Sequence, residues 1–322
     1  MIMIAVAFLL GLIICLLSGV PYIDFLKKHL FNQSIKDVAP ETHAKKQGTP
    51  TTGGVFIVGA IVFASVIALM LAQKLTSVAI VILLSLIFYT IAGFQDDYLK
   101  IKGKTNDGLS ARAKLIRQIL IALLPTFFVV LRVNTMVNFG PISFDFGWFY
   151  PILAVFIITG ASNAYNLTDG LDGLAASTGI PVFLVMSIIL LLCGCPEGAI
   201  ISAATTGALC GFLKYNKAKA QVFMGDTGSL AIGGLMGTLA VVGKIEFLLV
   251  ILAGIFILET LSVILQVTSY KLTGKKLFKM TPFHHHYELM GFSEKRIVVF
   301  FTLVSTLFSL LALYCFFLNF VR

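Results

Sequence analysis

The sequence predicts an all-α polytopic membrane protein of about ten transmembrane helices, and three observations lead there. Hydrophobic residues fill 58% of the 322 positions and charged residues only 12%, about half the charge of a soluble domain. Apolar runs long enough to cross a bilayer, which takes roughly 20 residues, recur from end to end. The loops between those runs divide sharply by charge.

The runs fall at about 3–20, 53–72, 78–94, 115–131, 148–165, 174–192, 198–213, 229–242, 247–269 and 297–320. They consume so much chain that one integral membrane domain over 1–322 is expected, with no separate soluble domain. The first run lacks a basic flank and a small-residue cleavage site, so it reads as a retained helix rather than a signal peptide. No internal repeat of the transporter kind is visible.

One set of loops carries Lys27, Lys28, Lys36, Lys45 and Lys46, then Lys100, Lys102, Lys104, Arg112, Lys114 and Arg117. The same set continues with Lys214, Lys217 and Lys219, then Lys271, Lys275, Lys276, Lys279, Lys295 and Arg296. The other side and the carboxyl terminus hold only Lys74, Arg132, Lys244 and Arg322 of the 24 basic residues. Basic loops stay in the cytoplasm, so both termini are expected outside. In a soluble protein the net charge of +9 would suggest nucleic acid. Here it marks the inner loops, and the partner is membrane lipid with no nucleic acid. Residues 132–147, with Asn134, Asn138, Gly140, Pro141 and Asp145 among Val, Phe and Ile, read as a short outer hairpin or interfacial segment.

Five scattered cysteines, Cys15, Cys193, Cys195, Cys210 and Cys315, lack zinc spacing and read mostly as small apolar fillers. Cys193 and Cys195 flank a short loop and could be reactive. The chemistry gathers on the basic face. Ala92-Gly-Phe-Gln-Asp96-Asp97-Tyr-Leu-Lys100 sets two carboxylates where a span meets water, a costly place unless they are hydrated, paired or holding a cation. A solvated helix end is the plainer alternative. Neighbours on a helix point about 100° apart, so the two acids differ in role.

In Ser162-Asn163-Ala-Tyr-Asn166-Leu-Thr-Asp169-Gly-Leu-Asp172-Gly173, polar residues recur every third position along one side of a helix. Two amides and two carboxylates there favour a polar pocket over a helix end with Asx turns. Asp226 lies between Gly225 and Gly228 at the start of an apolar run. It suits an N-cap, or a magnesium site, because hard cations choose carboxylate and phosphate oxygens. His284, His285 and His286 are consecutive, so their side chains diverge, and without a partner cysteine zinc is less favoured than contact with a phosphate or nucleotide. Finally, Thr42-His-Ala-Lys-Lys-Gln-Gly48-Thr-Pro-Thr-Thr52-Gly-Gly54 combines basic residues with a Gly and Thr loop. It lacks the Lys-Ser/Thr ending of a Walker loop and reads as an anion-binding loop or a plain basic one.

Together, Gly48-Thr-Pro-Thr-Thr-Gly-Gly54, Asn163-Ala-Tyr-Asn-Leu-Thr-Asp-Gly-Leu-Asp-Gly173 and Pro282-Phe-His-His-His-Tyr-Glu288 resemble the polyprenyl-phosphate N-acetylhexosamine-1-phosphate transferase superfamily. Within it they resemble the phospho-N-acetylmuramoyl-pentapeptide transferases. The likeness runs from about Thr42 to Gly291, and Thr52 stands where the family often has Met. It implies transfer of phospho-MurNAc-pentapeptide from UDP-MurNAc-pentapeptide to undecaprenyl phosphate at the inner edge of the bacterial plasma membrane, with magnesium as cofactor. It implies catalytic roles for Asp96, Asp97, Asp226 and His285, with Asp226 on the metal. Substrate contacts are implied for Asn166, Asp169, Asp172 and Phe223, with Asn216 and Gln266 nearby. Lys100, Lys104 and Lys114 suit diphosphate or nucleotide, and His284, His285 and His286 match a loop that closes on substrate. A homodimer is left open. The alternatives are a sister enzyme moving GlcNAc-1-phosphate and, from another class, a secondary transporter. Acids clustered on one face, with none isolated near a span centre, argue against transport.

Overall fold

The computed structural model describes residues 1–29, 48–103, 108–138 and 142–319. The predicted basic stretch 42–47 and Lys104 lie outside the described residues. The helices are α1 (Ile2–Lys28), α2 (Gly54–Leu71), α3 (Ser77–Gly103), α4 (Ala111–Arg132), α5 (Tyr150–Thr168) and α6 (Leu174–Leu192). They continue with α7 (Pro196–Asn216), α8 (Gly225–Val242), α9 (Glu246–Leu252), α10 (Gly254–Thr273), α11 (Phe283–Leu289) and α12 (Glu294–Asn319). Among the described residues, nine helices are long and apolar enough to span a membrane, so the chain is a multi-pass membrane protein.

The tenth expected span, 198–213, forms α7, but it is not apolar enough to count with those nine. Packing explains why. Helix α7 lies against α1, α2 and α6, and Ser202, Thr205 and Thr206 are buried, so it meets helices rather than acyl chains. Lipid tails supply no hydrophobic drive between helices, so close approach of small residues and interhelical hydrogen bonds hold the bundle. A Cβ on Gly207 would come within 2.0 Å of the Phe8 carbonyl, and one on Gly11 within 2.3 Å of the Ala204 carbonyl. Ser202 Oγ donates to the Phe183 carbonyl at 2.7 Å, joining α7 to α6.

Helix α8 is the buried centre of the bundle, flanked by α3 and α5. Its glycines admit the neighbours: a Cβ on Gly234 would strike the Tyr89 ring at 2.7 Å, and one on Gly237 the Ile158 Cα at 2.7 Å. Ser162 Oγ donates to the Leu230 carbonyl at 2.9 Å, and Ser85 and Thr238 hydroxyls lie 3.0 Å apart. These contacts fix the height of α3 and α5 relative to α8, and with it the height of the acids at their ends.

The predicted continuous span 247–269 is corrected: it is two helices, α9 and α10, meeting at Ala253 and Gly254. A side chain on Gly254 would enter the Phe308 ring of α12 at 2.7 Å, so the chain turns where that ring presses on its backbone. The predicted hairpin is present, β1 (Met136–Asn138) pairing antiparallel with β2 (Ser143–Asp145), Val137 opposite Phe144. In the loop joining α8 to α9, Lys244 Nζ lies 2.9 Å from Glu246 Oε1, which also accepts from Tyr150 Oη at 2.6 Å. Burial among apolar neighbours pushes the Cys193 and Cys195 thiols up to about 11, although Cys193 remains an exposed residue. Neither is an activated nucleophile, since reactivity follows thiolate content.

Candidate active site

Alternating helix directions bring the carboxyl ends of α3, α5 and α7 to the same end of the bundle as the amino ends of α4, α6 and α8. The sequence clusters meet there. Helix α3 touches the first turn of α8 at Gly93, where a Cβ would lie 2.1 Å from the Asp226 carbonyl. That contact, possible only without a side chain, places Asp96 and Asp97 beside Asp226. One ligand atom from each of the three carboxylates falls within 4.8 Å of the others.

The acids are used differently. Asp97 accepts from the backbone N–H groups of Asp226 at 3.1 Å and Thr227 at 2.9 Å, and from Thr227 Oγ1 at 2.5 Å. It therefore caps the amino terminus of α8 from a neighbouring helix, where unpaired N–H groups and the helix dipole favour an anion. Asp96 Oδ1 accepts from Leu109 N at 2.7 Å, and its Oδ2 lies 2.5 Å from Lys100 Nζ. Asp226 Oδ2 receives two ammonium groups, Lys100 at 2.7 Å and Lys114 at 2.9 Å. Asn166 Nδ2 donates to Asp226 Oδ1 and to Ser229 Oγ, both at 2.7 Å. Three carboxylates and two ammonium groups thus share one polar pocket.

The Gly48 to Gly54 loop is laid on the segment before α8. Phe223 N donates to the Pro50 carbonyl at 2.8 Å, Gly53 N to the Phe223 carbonyl at 2.9 Å and Gly54 N to the Met224 carbonyl at 2.9 Å. Buried Thr52 holds a left-handed backbone, φ 70°, a strained setting for a β-branched residue. Tyr22 Oη lies 3.3 Å from both its carbonyl and its hydroxyl. Phe223 itself is half-buried.

Asp169 follows α5 directly. Burial first, then the carboxylates of Asp226, Asp97 and Asp172, push its carboxyl well above the usual carboxylate range, although the residue keeps some exposure. That environment favours the neutral acid, which can donate a hydrogen bond. Asp172 Oδ2 accepts from Ala220 N at 3.0 Å. The Asn216 amide is buried between two loops, accepting from Gly173 N at 3.0 Å and donating to the Val222 carbonyl at 2.9 Å. Gln266 clasps the loop after α10, accepting from Leu277 N at 2.8 Å and Phe278 N at 3.0 Å while donating to the Phe278 carbonyl at 2.9 Å.

The three histidines take different partners, although the rings of His284 and His285 stay in contact, centroids 4.2 Å apart, against the expected divergence. His284 is buried against Glu259, His285 Nδ1 lies 2.7 Å from Glu288 Oε2, and His286 Nδ1 accepts from Lys279 N at 3.2 Å. Among the described residues they enter no cluster able to hold a metal, whereas Asp96, Asp97 and Asp226 do. Thr227 and Ser229 are site residues that the sequence reading passed over, although both lie within three positions of Asp226. Glu259 is a correction: it is an acid inside the predicted span 247–269, fully buried, where none was expected.

Residues 78–244, half of the chain, match the family model for glycosyl transferase family 4. The chain is 45% identical to the phospho-N-acetylmuramoyl-pentapeptide-transferase of Bacillus licheniformis, over 95% of both chains. It belongs to the phospho-N-acetylmuramoyl-pentapeptide transferase family. It is likewise 46% identical to the protein of that name from Oceanobacillus iheyensis, over 98% of this chain and 97% of the relative. With the one from Bacillus subtilis, identity is 44% over 95% of both. Similarity at this level, spread over nearly the whole length, covers every cluster described above and agrees with the expected transferase class.

Proposed function

We propose that this member of the phospho-N-acetylmuramoyl-pentapeptide transferase family moves phospho-MurNAc-pentapeptide from UDP-MurNAc-pentapeptide to undecaprenyl phosphate, giving lipid I and UMP. The observation that carries the reading is the pairing of Asp96, Asp97 and Asp226 with Lys100 and Lys114 at one end of a membrane bundle. A reaction between two phosphates gathers negative charge, so the site must neutralise it and align attacking and leaving oxygens. Lys100 and Lys114, from α3 and α4, supply positive charge beside Asp226. Asn166 orients Asp226, and Phe223 offers an aromatic face for uracil, a stacking contact worth roughly 1–3 kcal/mol in nucleic-acid analogues.

The acid set also fits a magnesium ion. Oxygens on one octahedral magnesium lie up to about 4.2 Å apart, given bonds near 2.1 Å, and the three carboxylates already approach within 4.8 Å. Asp226 and Asp96 are the better donors, because each has an oxygen, Oδ2, that faces lysine ammonium groups a cation can replace, whereas both oxygens of Asp97 hold backbone N–H groups of the α8 terminus. When bound, magnesium supplies charge neutralisation and Lewis-acid polarisation of a phosphoryl oxygen.

We place this site on the cytoplasmic face from the distribution of basic loops. In a variant whose own cysteines are replaced, a cysteine at Lys74 should react with an impermeant maleimide in intact cells, and one at Lys276 should not. The reverse pattern overturns the placement.

Donor choice tests the function itself. Uridine and diphosphate are common to UDP-MurNAc-pentapeptide and UDP-GlcNAc, so discrimination must come from the lactyl-peptide arm meeting the loops around His284 to His286. Each tenfold preference corresponds to about 1.4 kcal/mol, so a few added contacts give about a hundredfold preference for the muramoyl donor. UMP release measured with each donor, undecaprenyl phosphate and magnesium reads it directly. Equal or faster release from UDP-GlcNAc rejects the lipid I assignment.

A further inference from the structure

A carboxylate in the interior of a membrane helix is costly and marks function more often than packing. Glu259, on α10, is fully buried, and its partner His284, on α11, is equally buried. Glu259 Oε1 accepts from the backbone N–H of His284 at 3.3 Å, and Oε2 lies 3.2 Å from His284 Nδ1. A carboxylate only accepts, so His284 carries its proton on Nδ1. The far side of the ring is then defined: Nε2 is buried, has no hydrogen-bond partner among the described residues, and faces the backbone at Gly170. A Cβ on Gly170 would stand 2.2 Å from that nitrogen. Gly170 follows Asp169 directly in the chain.

We propose that Glu259 is a positioning residue for the nucleotide site: it locks His284 in the Nδ1–H tautomer, and the locked ring is the wall that seats Gly170 and hence the Asp169 carboxyl. The bare Nε2 is required by the contact. An N–H in its place would be a buried donor pressed against Gly170 with nothing to receive it, a cost that unpaired buried donors carry generally. The contacts run in one chain: α10 holds the ring, the ring meets Gly170, and Gly170 and Asp169 directly follow α5, whose Asn166 donates to Asp226 at 2.7 Å.

This inference rests on the reading of Asp169 as part of the nucleotide pocket, and its test separates the two. Glu259→Gln leaves one acceptor oxygen and introduces an NH2, so it cannot receive both His284 N–H groups. In histidine-labelled protein, 15N NMR should show the His284 proton moving from Nδ1 to Nε2. In turnover, the KM for UDP-MurNAc-pentapeptide should rise at least tenfold while kcat changes less than threefold. A purely structural Glu259 would lower the melting temperature and leave tautomer and KM unchanged, and that result overturns the proposal. Gly170→Ala reads the same contact from the other side with Glu259 intact, and it serves if E259Q does not fold. A KM within twofold of the unsubstituted protein's for G170A equally overturns the proposal. If the unsubstituted protein releases no UMP from the muramoyl donor, the functional reading has failed, and the tautomer measurement still decides the positioning.

Discussion

Asp226→Asn should lower UMP release at least a thousandfold while leaving the protein folded. Asp226 Oδ2 gathers Lys100 and Lys114, and Oδ1 is held by Asn166, so side chains from three other helices, two of them charged, converge on this carboxylate. Removing its charge weakens the hold on any bound cation and takes from Lys114 and Lys100 a carboxylate they share, and a thousandfold loss corresponds to about 4 kcal/mol of transition-state stabilisation. The fold should survive for a local reason. The Asp226 backbone N–H is capped by Asp97, the asparagine keeps an oxygen for Asn166, and the side chain is still 12% exposed, so no buried charge is stranded. Lys100 retains Asp96 at 2.5 Å. Turnover and melting temperature should be measured on one detergent-purified preparation, across a range of magnesium concentrations. Activity above a tenth of the unsubstituted level would remove Asp226 from the reaction.

The residues that the sequence made visible share one property, which is polar chemistry at the border of an apolar run. Asp96, Asp97, Asn166, Asp169 and Asp226 could be picked out because charge at a lipid edge is expensive. The long-range pairings were not visible. Nothing around Asp97 says that its oxygens cap a helix about 130 positions later, because that contact depends on Gly93 letting two backbones touch. Asn216 and Gln266 came from the family resemblance alone, and only coordinates reveal that each amide is engaged with backbone groups of adjoining loops. The break between α9 and α10 was hidden for a related reason. Apolar composition is continuous through Gly254, and the ring that turns the chain, Phe308, belongs to another helix. Glu259 was legible and was overlooked: one acid within an apolar run carries the same cost as two at its end.

The adjacent acids should separate when substituted. Asp97→Asn is expected to lower both stability and turnover, and Asp96→Asn turnover alone. Asp97 accepts three hydrogen bonds at the amino terminus of α8. Bonds to a charged acceptor contribute about 1.5–3 kcal/mol each, and charge at a helix start adds up to about 2 kcal/mol in a partly buried setting. These terms overlap, and an asparagine keeps one oxygen while turning its NH2 toward a backbone N–H. We therefore expect a net loss of about 3 kcal/mol in stability. Because the first turn of α8 carries Asp226, turnover of the folded fraction should fall several hundredfold as well, about 3.5 kcal/mol. Asp96 instead bonds Leu109 N and Lys100, one a loop amide and the other an ammonium that Asp226 also holds. Its amide variant keeps an oxygen for Leu109 N and gives up an ion pair whose Lys100 end is 30% exposed, so it should melt within about 1 kcal/mol of the unsubstituted protein, the usual upper worth of a solvent-exposed pair, and still lose activity because charge next to Lys100 is gone. Denaturation curves and UMP release on the two variants decide between the roles. A D97N protein as stable as the unsubstituted one, or a D96N protein less stable than D97N, would contradict the division of labour between cap and reacting acid.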